Sequence, residues 1–532
     1  QGDEVRFGQL CQLFGLASSP DNSVQQQVMQ SLNQFSRLPD FNLYLVTVFA
    51  KMPGQDAVVR QRAGLLLKTN IGQALASGSL TQQVADYIQA QTLIAVRDPN
   101  KVIRHTAGTV ITTIVQGVGV TMCCQTLDRL VECLSEGSPD TVEGSFNALN
   151  KICEDGVDML QQFWDAPPEH TQPFVSWCTE RLLPCVVKFA SPNAPVAARQ
   201  NAMECLNHFA LNYMLTDAKY PAFQPFAAKY VEVLGVLAND TDMQVQQLVC
   251  KGFVCVIENS SGYPLTVDLC QIVLQHMLRA SQHPEYLVRL EALEVWTPCV
   301  NSPQLLQLVR PMLPQLVPVL LANMVYSQAD YMGMEQSQID DDNAAVPDKS
   351  EDIKPRFHKE QGGADDDDDG GQCSGGAWSD EWTARKAAAS SLDHLANAFR
   401  QEILEVVLSL IQQKLEDANW EVQESGVLAL GAIAIGCIEH LVQYLPRVME
   451  LLLKLCQAQK PLLRSISCWC VSRFSKWICA EQNPGREQVL RSVLQQLLQR
   501  VLDRNKRVQE AACSAFATLE EEARAQLVPY LD

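Results

Sequence analysis

The sequence predicts an all-α protein, an α-solenoid of about eleven stacked helix pairs. Amphipathic segments of helical length follow one another in pairs along most of the 532 residues. A short motif also returns near the start of the second helix of successive pairs. Apolar residues make up 47% of the chain and charged residues 19%, which is the composition of ordinary packed protein.

The motif that returns is a valine or leucine, often soon after an Asp, Asn or Pro. Residues 57–64 (AVVRQRAG) align with residues 101–108 (KVIRHTAG), and Val58 lies 44 positions before Val102. The same residue type recurs later in the chain, at Val196, Val245, Val288, Val422, Leu463 and Val508. Helix pairs with a period of about 40–47 residues are typical of HEAT and armadillo repeats, which bury their apolar stripes only against neighbouring pairs.

The predicted pairs divide the chain into five regions. Residues 1–156 hold repeats one to four, and residues 157–327 hold repeats five to seven with the first helix of the eighth. A loop follows at 328–380, and residues 381–525 hold the second helix of repeat eight and repeats nine to eleven. Residues 526–532 are predicted to open a twelfth repeat. Because the chain starts at Gln1 and stops inside that helix, we expect it to be part of a longer protein.

The loop inside the eighth repeat is strongly acidic. Between Glu335 and Glu381 there are fifteen Asp or Glu and four Lys or Arg, a net charge of −11 out of −20 for the whole chain. Five aspartates stand in a row: Asp365, Asp366, Asp367, Asp368 and Asp369. With no apolar periodicity, this composition predicts a disordered segment. It is either a solvated linker or a mobile anionic arm that competes for a basic partner.

Composition also argues against several kinds of function. A pI near 4.9 disfavours direct binding to nucleic acid and is compatible with a basic partner. The nineteen cysteines fall mostly on apolar helix faces without zinc-site spacing, which predicts buried thiols in a cytosolic or nuclear protein. We see no secretory leader and no run of about 18 apolar residues, so we expect no insertion into a membrane.

No catalytic motif stands out. The eight histidines are scattered and none lies in an HExxH spacing, and the P-loop, GxSxG and Rossmann glycine patterns are missing from the sequence. We therefore predict that the chain is not an enzyme and that it needs neither a metal nor a cofactor.

Several segments are more specific than the periodicity. Residues 143–155 (EGSFNALNKICED), 352–358 (DIKPRFH), 464–473 (RSISCWCVSR) and 505–523 (NKRVQEAACSAFATLEEEA) resemble those of the transportin family. Transportins are karyopherin-beta receptors that import cargo carrying proline-tyrosine nuclear localisation signals. The resemblance covers the whole chain, acidic loop included, and corresponds to about the amino-terminal half of the family's roughly twenty repeats.

The resemblance implies a cargo groove in the later repeats. The positions that match the family's signal-binding residues are Asp393, Leu428, Ile466, Trp469, Arg473, Ala511, Thr518 and Glu521. Ile466, Trp469 and Arg473 recur at three and four residues, so we expect them on one helix face. The Trp469 ring would pack against proline or tyrosine, and Asp393 and Glu521 would attract the basic residues that precede them.

The resemblance also implies partners. The first repeats would bind the GTP form of the GTPase Ran, with Asn70 and Asp155 as candidate contacts. The acidic loop would couple Ran binding to cargo release, and phenylalanine-glycine nucleoporins would carry a monomeric receptor between cytoplasm and nucleus. The alternative function is a HEAT-repeat scaffold in a phosphatase or chromatin complex, which would have no reason to keep the acidic loop or the group Ile466, Trp469 and Arg473.

Overall fold

A computed structural model of the chain describes residues 2–38, 40–119, 123–155, 175–215, 221–260, 265–332, 334, 339, 382–481, 483, 485–524 and 526–527. All regular elements in these ranges are helices, and no strand occurs among them. This confirms the all-α prediction. The acidic run Asp365–Asp369 lies outside the described residues, as does most of the insertion.

The described helices form two compact units, residues 1–265 and 266–532. The first unit contains α1 (Gly2–Leu16), α2 (Asn22–Phe35), α3 (Phe41–Lys51), α4 (Ala57–Ala76), α5 (Gln82–Ala95), α6 (Lys101–Val118), α7 (Cys124–Glu136), α8 (Pro139–Asp155), α9 (Leu183–Phe189), α10 (Val196–Phe209), α11 (Gln224–Leu237) and α12 (Met243–Glu258). The finer division into repeat groups remains a prediction.

The second unit begins with six α-helices on the amino-terminal side of the insertion, among the described residues. They are α13 (Val267–Ala280), α14 (Tyr286–Leu293), α15 (Trp296–Cys299), α16 (Pro303–Val309), α17 (Leu313–Asn323) and the short α18 (Gln328–Met332). Further helices follow the insertion: α19 (Ala384–Phe399), α20 (Gln401–Leu415), α21 (Trp420–Leu441), α22 (Leu445–Leu455), α23 (Pro461–Ser472), α24 (Ser475–Cys479), α25 (Arg486–Val501) and α26 (Lys506–Ala523).

The second helices of successive pairs pack in a row within each unit. In the first unit α4 contacts α6, α6 contacts α8, and α8 contacts α10, which in turn contacts α12. In the second unit α19 contacts α21, α21 contacts α23 and α23 contacts α26. Each helix therefore buries one stripe against its own partner and others against the neighbouring pairs, as expected of HEAT repeats. This core is buried from solvent, and three of its side chains, Phe49, Ile103 and Ile433, have no exposed surface.

Helix caps explain the recurring Asp or Asn in the sequence motif. The side chains of Asp56, Asn100, Asp242, Asn419 and Asn505 each accept a hydrogen bond from a backbone N–H in the first turn of the following helix. Such caps satisfy amide groups that have no partner within the helix.

The structure also corrects the register of the motif. Val58 and Val102 are 47% and 44% exposed, whereas their neighbours Val59 and Ile103 are buried. The buried position is the third residue of the helix, which Val245 and Val508 also occupy. The alignment on Val58 and Val102 is therefore one residue out of step with the core.

The fourth residue of the second helices is an Arg or a Gln in most pairs, and it bonds to the turn that precedes its own helix. Arg104 donates to the carbonyls of Asp98 and Pro99, and Arg464 donates to those of Ala458 and Gln459. In four pairs the arginine also reaches an acidic residue of the next repeat, 38 to 41 positions on: Arg60 to Asp98, Arg104 to Glu143, Arg199 to Asp240 and Arg464 to Asp503.

The cysteines and the apolar helices fit a packed interior. Most of the described cysteines are buried thiols, among them Cys205, Cys299 and Cys437. By length and mean hydropathy alone, Pro303–Met332 and Trp420–Leu441 could cross a membrane. The second of these is α21, whose apolar residues pack against α19, α20 and α23. Its hydropathy is therefore accounted for by burial within the protein.

Removing one charge of a buried arginine–aspartate pair should destabilise the second unit. Asp503→Asn keeps the side-chain shape but leaves Arg464, which is 5% exposed, without its carboxylate. We expect a loss of about 3 kcal/mol or more, because the partner charge stays buried and unpaired. The urea midpoint should fall clearly below that of the unmodified chain.

The matched control, Glu402→Gln, breaks the exposed pair with Arg310 and should change stability by less than about 1 kcal/mol. Equal effects of the two substitutions would contradict this account.

Candidate ligand-binding cavity

A cavity of about 610 Å³ lies within the second unit, between the residues before the insertion and the helices after it. We call it the Trp469 cavity. It is lined by aromatic, apolar and charged side chains, including Tyr326, Asp330, Trp382, Arg385, Asp393, Leu428, Ile466, Trp469 and Arg507. A cavity of this size and mixed lining is typical of a site that holds a ligand of a few residues.

The structure brings four of the eight predicted cargo-binding residues to this one cavity. Asp393 comes from α19, Leu428 from α21, and Ile466 and Trp469 from α23. Leu428 and Ile466 are 8% and 3% exposed, so they form apolar wall rather than an open surface. Trp469 is half-buried and Asp393 is 30% exposed, so both retain surface that a ligand could contact.

A glycine on the neighbouring helix determines where the Trp469 ring lies. A Cβ atom on Gly431 of α21 would stand 2.3 Å from the Cζ3 atom of Trp469. The ring therefore packs directly against the backbone of α21, an approach that only glycine permits. The indole is thus held in place by packing and is only partly exposed.

Arg473 and Asp393 are already paired with each other. The Arg473 guanidinium donates to the Asp393 carboxylate at 2.7 Å and, through Nε, to the Gly431 carbonyl at 3.1 Å. It also lies 5.7 Å from the centre of the Trp469 ring. Asp393 therefore already has a cationic partner within the chain, which a ligand cation would have to share or displace.

The three predicted residues on α26 do not line the Trp469 cavity. Ala511 is buried, the Thr518 hydroxyl donates to the Ser514 carbonyl of its own helix, and Glu521 is exposed. The residue that α26 contributes is Arg507, in its first turn. A sequence pattern does not show which turn of a helix lines a cavity, so the predicted role of Ala511, Thr518 and Glu521 stays a prediction.

The reasoning from sequence missed a buried charged cluster beside the cavity. Arg385 of α19 forms an ion pair with Glu424 of α21, which has no exposed surface, and the Tyr326 hydroxyl donates to the same carboxylate at 3.4 Å. Burial raises the pKa of Glu424 to about 7, although the charges of Arg385 and Arg507 act in the opposite direction. The signal in the sequence was the placement of Tyr326 just before the acidic insertion and of Arg385 just after it.

The candidate Ran contacts lie in the first unit. Asn70 of α4 is half-buried and donates from Nδ2 to the Asn42 side chain at 3.1 Å. Asp155 is the last residue of α8, and its side chain is not among those described. Asp365–Asp369 are outside the described residues. Among the residues the structure does describe, no cluster of three or more His, Cys, Asp or Glu side chains could hold a metal ion.

Comparison with known proteins identifies the family. Residues 28–98 match the importin-beta N-terminal domain, and residues 420–474 match a HEAT-like repeat. The chain is 35% identical to mouse Transportin-1 and 37% identical to rice Transportin-1, across 99% and 100% of its own length. The chain belongs to the transportin family. It spans 57% of the length of each of these two relatives.

Solved structures agree on the fold. Yeast importin-beta (Kap95p) superposes with a TM-score of 0.70 at 17% identity, covering 99% of this chain and 58% of that one. Kap95p in a complex with Nup1 gives 0.65 at 17% identity, over 97% and 56% of the two chains. Kap121p bound to RanGTP gives 0.58 at 18% identity, over 99% and 46%. These transportin-family and importin relatives are transport receptors.

Filling the space beside Trp469 should disturb the cavity wall. In Gly431→Ala the new methyl group clashes with the indole, and overpacking of this kind typically costs about 1–3 kcal/mol. We expect a lower urea midpoint. Gly235→Ala in α11 is the matched control, because no atom lies within 4 Å of its new methyl group. That control should be neutral or slightly stabilising, since alanine is the better helix former. A Gly431→Ala protein as stable as the control would mean that the ring moves without cost.

Proposed function

We propose that this chain is the cargo- and Ran-binding portion of a nuclear import receptor. It binds the basic proline-tyrosine localisation signal of its cargo in the Trp469 cavity and releases it when GTP-loaded Ran binds the amino-terminal repeats. The observation that carries the proposal is the meeting of Asp393, Leu428, Ile466 and Trp469 at one cavity. Their match to the family's signal-binding residues is a property of the sequence alone, so the shared cavity is independent support.

The chemistry of the cavity suits such a signal. The half-buried Trp469 ring offers an aromatic face beside the apolar side chains of Leu428 and Ile466, on which a proline or tyrosine ring can pack. The Asp393 carboxylate, 30% exposed, can accept hydrogen bonds from a peptide guanidinium. The whole chain's net charge of −20 adds a long-range attraction for basic signals.

The partners follow from the relatives. Kap121p has been solved with RanGTP and Kap95p with Nup1, and residues 28–98 of this chain match the importin-beta N-terminal domain. We therefore propose that the first unit binds GTP-loaded Ran, with Asn70 and Asp155 among the contacts. We further propose that the chain passes nuclear pores as a monomer by contacting phenylalanine-glycine nucleoporins, moving between cytoplasm and nucleus. Ala511, Thr518 and Glu521 would belong to an extension of the cargo site along α26.

Replacing Trp469 tests the cargo site directly. Trp469→Ala removes the aromatic face and should weaken binding of a synthetic Arg-Pro-Tyr peptide about tenfold or more, which corresponds to ~1.4 kcal/mol. Fluorescence anisotropy of a labelled peptide measures the affinity. Trp382→Ala is the matched control for loss of an exposed tryptophan at the cavity rim, and should have the smaller effect. If Trp469→Ala lowers the melting temperature yet leaves peptide affinity unchanged, Trp469 is a core residue and the cavity is not the cargo site.

Deleting part of the acidic loop tests the proposed release. A variant without residues 362–376 loses all of Asp365–Asp369 and should bind the peptide normally. Release by GTP-loaded Ran should then need a higher Ran concentration, because the anionic competitor for the basic signal is gone. The effect should diminish as salt is added, since the Debye length is only ~8 Å at physiological ionic strength. Unchanged release would make the loop a passive linker. Failure of Ran to bind or release anything would favour the scaffold alternative.

A further inference from the structure

One buried arginine, Arg385, contacts the residues just before the acidic insertion. Arg385 of α19 donates to the backbone carbonyl of Met324 at 3.0 Å. Its guanidinium also lies 4.1 Å from the centre of the Tyr326 ring, close enough for a cation–π interaction. With its ion pair to Glu424, this side chain therefore joins residues 324–326 to both α19 and α21.

Further contacts continue along the same stretch, residues 324–332, which we call the root segment. The Tyr331 hydroxyl donates to the carboxylate of Glu421, and the Tyr331 ring lies 5.4 Å from that of Tyr326. The Tyr326 ring in turn lies 6.4 Å from that of Trp420. Within the root segment, the Ser327 backbone N–H and hydroxyl both donate to the Asp330 carboxylate, at 2.8 Å and 2.6 Å.

This cluster follows the arrangement seen at the other second helices only in part. The fourth residue of α19 is Ala387, so α19 has no arginine at the position of Arg60, Arg104 or Arg464. Its arginine is instead the second residue. The acidic partner Glu424 is the fifth residue of α21, the position that Glu143, the partner of Arg104, holds in α8. What distinguishes Arg385 is the segment that it binds, Met324 and Tyr326 just before the insertion.

The pair is also costly. Glu424 has no exposed surface, Arg385 is 8% exposed, and the Glu424 Oε2 atom has no hydrogen-bond partner. Removing two charges from water costs free energy that their attraction does not always return, so a buried pair is weak evidence of added stability, and in some proteins such pairs instead fix one arrangement. What this pair fixes is the root segment, and Tyr326, Ala329 and Asp330 of that segment line the Trp469 cavity.

We propose that Arg385 and Glu424 are positioning residues that hold the root segment in place as one wall of the Trp469 cavity and thereby set the affinity of that cavity for its peptide. The inference rests on the proposed function for its second half, the effect on affinity. Its first half, the fixing of the wall, concerns the unliganded protein and is tested without any peptide.

A double substitution separates positioning from general stability. Arg385→Met alone would leave the Glu424 charge buried and unpaired, so we combine it with Glu424→Gln, which removes that charge and keeps the side-chain shape. The double variant still lacks the donor to the Met324 carbonyl and the cation beside the Tyr326 ring. Glu439→Gln, on the exposed face of the same helix α21, is the matched control for loss of a glutamate charge.

Hydrogen–deuterium exchange of the unliganded proteins is the first measurement. In the double variant, exchange of backbone amides over 324–332 should rise roughly tenfold or more, while amides of α23 and of the control keep their rates. Melting temperature, followed by circular dichroism, verifies that the fold is retained. Unchanged exchange over 324–332 in a folded double variant overturns the proposal.

Affinity for a labelled Arg-Pro-Tyr peptide is the second measurement. A loosened wall should weaken binding roughly in proportion to the rise in exchange, whereas Glu439→Gln binds as the unmodified chain does. Faster exchange with unchanged affinity shows that the root segment is no part of the binding site and overturns the second half. If the unmodified chain binds no peptide, the proposed function itself fails, and the exchange result still decides whether the pair holds the wall.

The pH dependence gives a readout that a merely structural role would not alter. The groups that face Glu424 are Tyr326, Asp330 and Tyr331 of the root segment, Arg385 of α19, Lys414 of α20 and Arg507 of α26. Burial raises the pKa of Glu424, so the docked wall binds a proton more tightly than the open one. Docking and peptide affinity should therefore weaken as pH rises from 4.5, the ordinary value for a glutamate, to about 7, by at most tenfold per pH unit, and level off above that. Glu424→Gln should abolish this slope, and a slope that survives in that variant contradicts the assignment.

Discussion

The fold depends on arginines that are buried where two repeats meet. Arg464, for example, donates to carbonyls of its own turn and to the acidic residue Asp503 of the next turn. That acidic residue has a second role, because Asp503 also accepts the backbone N–H of Asn505, the cap of the following helix. One guanidinium thus satisfies the polar groups of two consecutive turns that stacking removes from water. Because its donors are fixed in a planar fork, it also defines the register between neighbouring pairs.

Where the fourth residue is a glutamine, half of this arrangement remains. Gln246 and Gln509 still donate to carbonyls of their own turns, but an amide carries no charge with which to bind the next repeat. Helices α8 and α19 depart further, since Val142 and Ala387 at this position can do neither. Departures from a local rule are expected at functional sites, and α19 is the helix that follows the acidic insertion and contributes Asp393 and Arg385 to the Trp469 cavity. One of the two helices that depart from the repeat pattern is therefore also a wall of the candidate ligand site.

The helix pairs, their period and their capping residues could be predicted from the sequence, because all three depend on interactions within about one turn or one repeat. The sequence motif was aligned one residue before the buried position at Val58 and Val102. The sequence alone does not distinguish a valine beside the buried position from an apolar residue that occupies it. The family resemblance selected Leu428, Ile466 and Trp469, which do meet at one cavity. It could not show that Ala511 is buried or identify Glu424, because burial depends on how helices far apart in the chain pack together. The pairing of Asp393 with Arg473, 80 residues apart, was likewise invisible.

That internal pair bears on how tightly the cavity could hold a basic signal. A peptide arginine that approaches Asp393 must share or replace Arg473, so the new ion pair forms at the expense of an existing one. The net gain is then much smaller than for an unpaired carboxylate, whereas the selectivity for a cation is retained. Arg473 also lies near the Trp469 ring and bonds to Gly431, so displacing it would disturb the aromatic face as well. A peptide arginine that replaces Arg473 at Asp393 would be recognised specifically but bound with moderate affinity. Moderate affinity suits the proposed receptor, because such a receptor must later release its cargo.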